Sequence, residues 1–397
     1  LLCPARLAAA ADRPPNVVVI MADDLGWGDC SCYGATAVRT PHVDRLAREG
    51  RRFTSGYCSA STCTPTRYSL LTGHHAFRRQ GTGVAPPSAP AIIQPGETTI
   101  ASVLRDAGHA TAVVGKWHLG LGPADPGPDW NGVLAPGPLE IGFDRCFILP
   151  TTNDRVPQVF VENHPTGVDQ RAGLKMDWSH GHNETVHNGI GRIGFYTGGT
   201  RARFRDEDLA DAWVRESVTW IEAHAAKPFF LFLAPHDIHV PRVPHERFRG
   251  ATGMGPRGDC IVEFDWTVGQ VVAAIERAGV AERTLVIVCS DNGPVLDDGY
   301  KDDAVEKGRS GRFGFRQGKW KLVRLPPGKG SKAARGTAPV DALYDLDADP
   351  GESNDVAADH PELVARLAAD LDRITKPDRP GALAPRGQNL SRAKPGM

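Results

Sequence analysis

The sequence predicts an α/β protein, with a central sheet covered by helices and a small C-terminal α+β subdomain. Two observations carry this. Continuous apolar runs, as expected of strands covered on both faces, alternate with helical stretches closed by glycine or amphipathic in pattern. Each run also stops at a polar cluster, and ligands of such sheets bind just beyond the carboxyl ends of the strands.

The chain opens without methionine on Leu1-Leu2-Cys3-Pro4-Ala5-Arg6, followed by small residues up to Asp12. This resembles the tail of a clipped secretory signal, so residues 1–15 read as a signal remnant or linker, with a periplasmic or secreted location expected. The first apolar run, Val17 to Ala22, ends at Asp23-Asp24. Next comes Cys63-Thr-Pro-Thr-Arg-Tyr-Ser-Leu-Leu-Thr-Gly73, where Pro65 suits a helix start and Gly73 a helix end. Cys63 should thus sit at a helix N-terminus, and Arg67, one turn on, should return its guanidinium toward the cysteine and any oxyanion held there. Three readings of Cys63 stay open at this point: a small buried hydrophobe, a thiolate nucleophile, or part of a site for a tetrahedral anion.

A second run, Ala110 to Val114, follows a helix closed by Gly108 and leads into Lys116-Trp117-His118. A third, Phe229 to Ala234, follows an amphipathic helix over residues 207–225 and delivers His236 and His239. The fourth, Leu285 to Ser290, follows a helix over 259–278 and ends at Asp291-Asn292. Convergence of these ends would gather Asp23, Asp24, Asp291 and Asn292, hard oxygen donors that suit calcium or magnesium rather than zinc or copper. His236 and His239 show no helical period between Pro235 and Pro241, so general acid work fits them better than a transition-metal pair. Beyond residue 309, strands are expected from Phe313 to Leu325 and at Ala342 to Leu346, with a basic Gly/Pro loop from Pro326 to Pro339 between them. An amphipathic helix follows over Pro361 to Ile374, placing Leu363, Leu367, Leu371 and Ile374 on one face. The Pro-, Gly- and Arg-rich tail over 376–397 reads as disordered.

Bulk composition narrows the function class. With 397 residues, 41% of them hydrophobic, the chain can bury a large core. Forty-six basic against 47 acidic residues point to neither nucleic acid nor an anionic membrane surface, so an anionic substrate must be met by local charge. No apolar run approaches the ~18 residues of a membrane span. The eight cysteines lack a Cys-x-x-Cys spacing, which argues against a structural zinc site or a thioredoxin-type centre.

Cys63-x-Pro-x-Arg67 followed by Leu71-Thr-Gly73 resembles the signature of the type I sulfatases, arylsulfatase-like members of the alkaline phosphatase superfamily. Together with the strand-end clusters, the resemblance covers residues 16–303. It implies a mixed, mostly parallel sheet sandwiched by helices, with a catalytic domain over 16–308 and a C-terminal subdomain over 309–375. It further implies that Cys63 is oxidised to Cα-formylglycine by a formylglycine-generating or other sulfatase-maturing enzyme. By motif position, Asp23, Asp24, Asp291, Asn292 and modified Cys63 match the calcium ligands. Arg67, Lys116 and His118 match groups around the sulfate and the formylglycine, and His239 matches the donor of a proton to the leaving alcohol, with His236 as its neighbour. The implied reaction is hydrolysis of an aryl or carbohydrate sulfate. The rival readings are a phosphoesterase or phosphonate monoester hydrolase of the same superfamily, and a catalytically impaired binder of sulfated glycans. The family's Gly-Gly-Lys and Glu-Gly-Gly-x-Arg segments do not follow Gly293; the chain instead runs through Asp302 to Gly308 into Arg309 to Val323. Lys301, Lys307 and Lys319 are the lysines that could stand in for the absent one.

Overall fold

The computed structural model describes residues 13–156, 158–163, 175–187, 190–197, 204–295, 313–325 and 340–375. The readings made for residues 1–12, Lys301, Lys307, the loop over 326–339 and the tail after 375 lie outside them. Two compact units divide between Val305 and Glu306.

In the larger unit, β1 (Asn16–Ala22) is followed by helices α1 (Pro41–Glu49), α2 (Cys63–Thr72) and α3 (Ile100–Asp106). Strands β2 (Ala110–Lys116), β3 (Arg145–Leu149) and β4 (Val161–Glu162) come next, then a hairpin of β5 (Lys175–His187) and β6 (Ile190–Thr197). Helix α4 (Leu209–His224), β7 (Phe229–Ala234), α5 (Gly255–Arg277) and β8 (Thr284–Ser290) complete the unit. The main sheet has the order β4-β3-β2-β7-β1-β8. All its neighbours run parallel except β3 and β4, so the sheet is mixed and mostly parallel, as the sequence indicates.

The apolar runs are continuous because alternate residues serve two cores. Val18, Ile20 and Ala22 of β1, with Phe229, Leu231 and Leu233 of β7, pack under Trp213 and Ile221 of α4 and Phe264 and Val268 of α5. On the other face, Val19 and Met21, with Phe230 and Phe232, pack under Tyr68 and Leu71 of α2, Ala101 of α3, and Trp117 and Phe143. Both layers end where the polar clusters begin.

The fourth run departs from this pattern. Although β8 is as apolar as β1, it is the outermost strand and pairs with β1 alone among the described residues, leaving Leu285 53% and Ile287 41% exposed. Position in the sheet order, which composition does not encode, decides burial here. An exposed apolar outer strand invites edge-to-edge pairing. Leu285→Lys is therefore expected to reduce concentration-dependent association, read by light scattering, while moving the unfolding free energy by no more than about 0.5 kcal/mol.

The smaller unit holds a three-stranded antiparallel sheet in the order β11-β10-β9, formed by β9 (Phe313–Gln317), β10 (Trp320–Leu325) and β11 (Val340–Asp345). Helix α6 (Pro361–Thr375) packs Leu367 and Leu371 against Leu322 and Leu343. Lys319 is ion-paired with Asp345 at 2.6 Å in this unit.

Candidate active site

The carboxyl ends of β1, β2, β7 and β8 deliver the site. The β1–β8 register pairs Ala22 with Ser290, so Asp23 and Asp24 leave one strand beside Asp291 and Asn292 leaving the other. Between β2 and β7, Gly115 lies opposite Ala234 with φ +104°, and an added Cβ would fall 2.0 Å from the Ala234 carbonyl oxygen. Glycine at this point lets the two strands run together and present Lys116 inward. Asp24 (φ 65°) and His118 (φ 55°) both sit in the left-handed region, a strain of about 1–3 kcal/mol each that the surrounding packing must hold.

Helix α2 starts at Cys63 itself, two residues ahead of Pro65, with Thr62 as an N-cap whose side chain makes no capping bond. The positive end of the helix is thus presented at Cys63. One turn on, the Arg67 guanidinium is fully buried; its Nε and Nη2 donate to Asp291 Oδ2 at 3.0 and 2.8 Å, and Nη1 donates to the Lys116 carbonyl at 3.0 Å. Its fork therefore orients Asp291 as well as lining the cluster, with Asp23 Oδ1 3.7 Å from Nη2. Lys116 Nζ, also fully buried, donates to Asp23 Oδ2 at 2.5 Å. Burial works against charge on both cations, but Asp291 and Asp23 around Arg67 and Asp23 beside Lys116 outweigh it and hold both pKa values above their ordinary ones.

A ligand atom from each of Asp23, Asp24, Cys63 and Asp291 lies within 4.8 Å of the others. Asn292 Nδ2 donates to Asp24 Oδ1 at 2.5 Å, while Asn292 Oδ1 and Asp23 Oδ1 are buried without a hydrogen-bond partner among the described residues. Two orphaned oxygens amid carboxylates are what a hard cation satisfies, so this donor set fits Ca²⁺ or Mg²⁺. Charge agrees. Asp23, Asp24 and Asp291 against Arg67 and Lys116 leave one formal negative charge, which a divalent cation would turn into one positive, suited to an anionic group.

Burial pushes the Cys63 thiol up to about 12, with Lys116 opposing and Asp23, Asp291 and Asp24 reinforcing the rise. An unmodified Cys63 is therefore a protonated, weak nucleophile, which disfavours thiolate chemistry. His118 is also buried: Nε2 faces the Ala85 carbonyl at 3.1 Å, and Nδ1 has no hydrogen-bond partner among the described residues. Burial, then Lys116 and Arg67, depress its pKa well below the ordinary value, leaving a neutral imidazole. Thr64, next to Cys63, donates its hydroxyl to the His118 carbonyl at 2.9 Å and fixes the loop to the helix start. His239 is half-buried; its Nδ1 lies 2.6 Å from the Val240 carbonyl, so Nδ1 carries the proton of that bond and Nε2 is left for chemistry. His236 turns inward instead, its Nδ1 accepting from Trp213 Nε1 at 3.3 Å.

The profile of the family described as sulfatase matches residues 15–334. N-acetylgalactosamine-6-O-sulfatase of Bacteroides thetaiotaomicron is 46% identical over 317 residues, covering 74% of this chain and 62% of its own length. Arylsulfatase A of Homo sapiens is 33% identical over 385 residues, covering 92% of this chain and 66% of its own. The chain thus spans about three fifths to two thirds of these relatives. A solved structure from work on the metabolism of multiple glycosaminoglycans by Bacteroides thetaiotaomicron superposes with a TM-score of 0.81 at 35% identity, covering 91% of this chain and 99% of that one. A sulfatase from Pseudoalteromonas sp. shares the fold at a TM-score of 0.63 and 21% identity, covering 91% of this chain and 90% of its own.

Proposed function

This chain belongs to the sulfatase family, and from that premise we propose that it hydrolyses a carbohydrate sulfate ester, with Cys63 converted to formylglycine and a hard divalent cation held by Asp23, Asp24, Asp291 and Asn292. The observation that carries the reading is the buried cluster at the start of α2, where carboxylates with orphaned oxygens surround the Cys63 side chain while Arg67 and Lys116 supply fixed positive charge. Ca²⁺, or Mg²⁺ in its place, would polarise the sulfuryl oxygens when bound. As a geminal diol, formylglycine offers one oxygen for attack on sulfur and a second hydroxyl whose deprotonation expels sulfate.

The chain's own residues supply the rest. Lys116 and Arg67, both fully buried, hold the sulfuryl charge from low-dielectric surroundings, where such contacts are strong. His239, as the doubly protonated imidazolium with Nδ1–H kept on the Val240 carbonyl, donates its Nε2 proton to the departing alcohol oxygen and is left neutral. His118, neutral through burial, accepts the proton of the remaining hydroxyl. A sulfated glycan is favoured over an aryl sulfate by the 46% identity to an N-acetylgalactosamine-6-O-sulfatase. Maturation by a formylglycine-generating enzyme and a periplasmic or secreted location belong to the same proposal.

The test co-expresses the full chain with a maturation enzyme, identifies residue 63 by mass spectrometry, and compares inorganic sulfate release from N-acetylgalactosamine 6-sulfate and 4-nitrophenyl sulfate with phosphate release from 4-nitrophenyl phosphate. Sulfate release from the sugar, faster than either aryl ester, is expected. Faster phosphate release would favour the phosphoesterase reading. Binding of the sulfated sugar with no turnover, formylglycine being present, would favour the impaired binder.

A further inference from the structure

A second group of buried ligating side chains lies apart from the Cys63 cluster, between the loop after β7 and helix α5. A carboxylate oxygen of Asp237, Sγ of Cys260 and a carboxylate oxygen of Glu263 fall within 4.8 Å of one another. The three residues are only 1%, 2% and 2% exposed. Cys260 and Glu263 stand three residues apart on α5 and so share one face of the helix, and the third donor comes from a different element.

Asp237 is set up as a ligand by what surrounds it. The indole of Trp213 can only donate, so its 3.3 Å bond to His236 Nδ1 leaves the proton of a neutral His236 on Nε2. That Nε2 lies 3.5 Å from Asp237 Oδ1. Asp237 Oδ2, on the same buried carboxylate, has no hydrogen-bond partner among the described residues. On Glu263, Oε1 accepts from the His245 backbone N–H at 3.1 Å. A backbone hydrogen bond such as the one to Glu263 is the kind of support that steadies ligating carboxylates in metal sites. Three potential anions with an orphaned oxygen, all out of water, are costly unless a cation or shared protons compensate them.

The geometry points to a second, structural cation site at Asp237, Cys260 and Glu263, with a thiolate and two carboxylates selecting a zinc-class ion rather than calcium. Thiolate sulfur is the discriminating donor, since calcium and magnesium take oxygen and Zn²⁺ or Co²⁺ accept both, at bonds of about 2.0–2.3 Å. The sequence reading set a structural zinc site aside for want of Cys-x-x-Cys; Cys260-x-x-Glu263 gives the helical spacing with a carboxylate in place of the second thiol. An ion here would tie α5 to the loop whose Asp237 carbonyl accepts from the Asp23 backbone N–H at 2.8 Å.

The full chain, stripped of metal and titrated with Co²⁺, tests this without reference to sulfatase activity. A thiolate-to-cobalt charge-transfer band is expected, displaced by Zn²⁺ and not by Ca²⁺. It should vanish in Cys260→Ser, persist in Cys63→Ser, and require at least about tenfold more Co²⁺ in Glu263→Gln, a near-isosteric change that keeps the test usable where the cysteine variant fails to fold. Absence of the band from the unmodified chain, or its survival in folded Cys260→Ser, would overturn the site and leave Asp237 and Glu263 as a proton-sharing pair.

Discussion

Cys63→Ala is expected to fold as the parent does and to release no measurable sulfate, a loss of about 10⁶-fold in kcat of the kind seen when a covalent nucleophile is removed. The side chain is small and its helix position tolerates alanine well, so the unfolding free energy should change by about 1 kcal/mol or less. Serine at 63 is expected to behave likewise in turnover, because a serine ester has no second hydroxyl to expel sulfate. Sulfate release above background by folded Cys63→Ala, measured by ion chromatography, would refute the assignment. The unmodified thiol offers no alternative route, with its pKa pushed up to about 12 by burial.

Arg67→Met is expected to be the most damaging substitution for stability. The fully buried guanidinium bonds Asp291 through two nitrogens and faces Asp23, so its removal leaves buried carboxylates uncompensated. Breaking a buried pair from one side destabilises by about 3–5 kcal/mol. Because Arg67 also orients Asp291 and faces the reacting group, kcat/KM should fall by about 10²–10³-fold in what remains folded. In the proposed site Ca²⁺ would bind the same carboxylates, so saturating Ca²⁺ should recover part of the lost stability in denaturant titrations, and recover more in the variant than in the parent. Arg67→Lys keeps the charge but loses the planar fork, and it should fall between the two.

Much of this site was legible because its parts are local signals. Strand ends announce themselves where Ala22 gives way to Asp23-Asp24 and Ser290 to Asp291-Asn292, and the helix start at Cys63 is marked by its flanking Pro65 and Gly73. Less accessible was anything set by the order of strands in space. β3 is not marked in the sequence, because Cys146-Phe-Ile-Leu149 is only four apolar residues long and its place beside β2 is a pairing between separate segments of chain. The hairpin β5–β6 carries no strand signal in the sequence, since its mix of His, Asn, Arg and Trp lacks a strand's alternation. The inward turn of His236 depends on Trp213 of α4, a contact between distant segments that no spacing along the chain reveals.

With the proposed cation bound, the outer position of β8 would make the carboxylate cluster a clasp between two strands. Asp291 and Asn292 are carried by a strand paired only with β1 among the described residues, whereas Asp23 and Asp24 are carried by the strand held on both sides. An ion joining the two ends binds only while β8 is zipped in register, so its binding free energy adds to the work of peeling that strand away, by about 2.7 kcal/mol at one hundred times the dissociation constant. Local opening, read as the lifetime of amide protons along residues 284–290 in hydrogen exchange, is therefore expected to slow as the surrounding divalent-ion concentration rises.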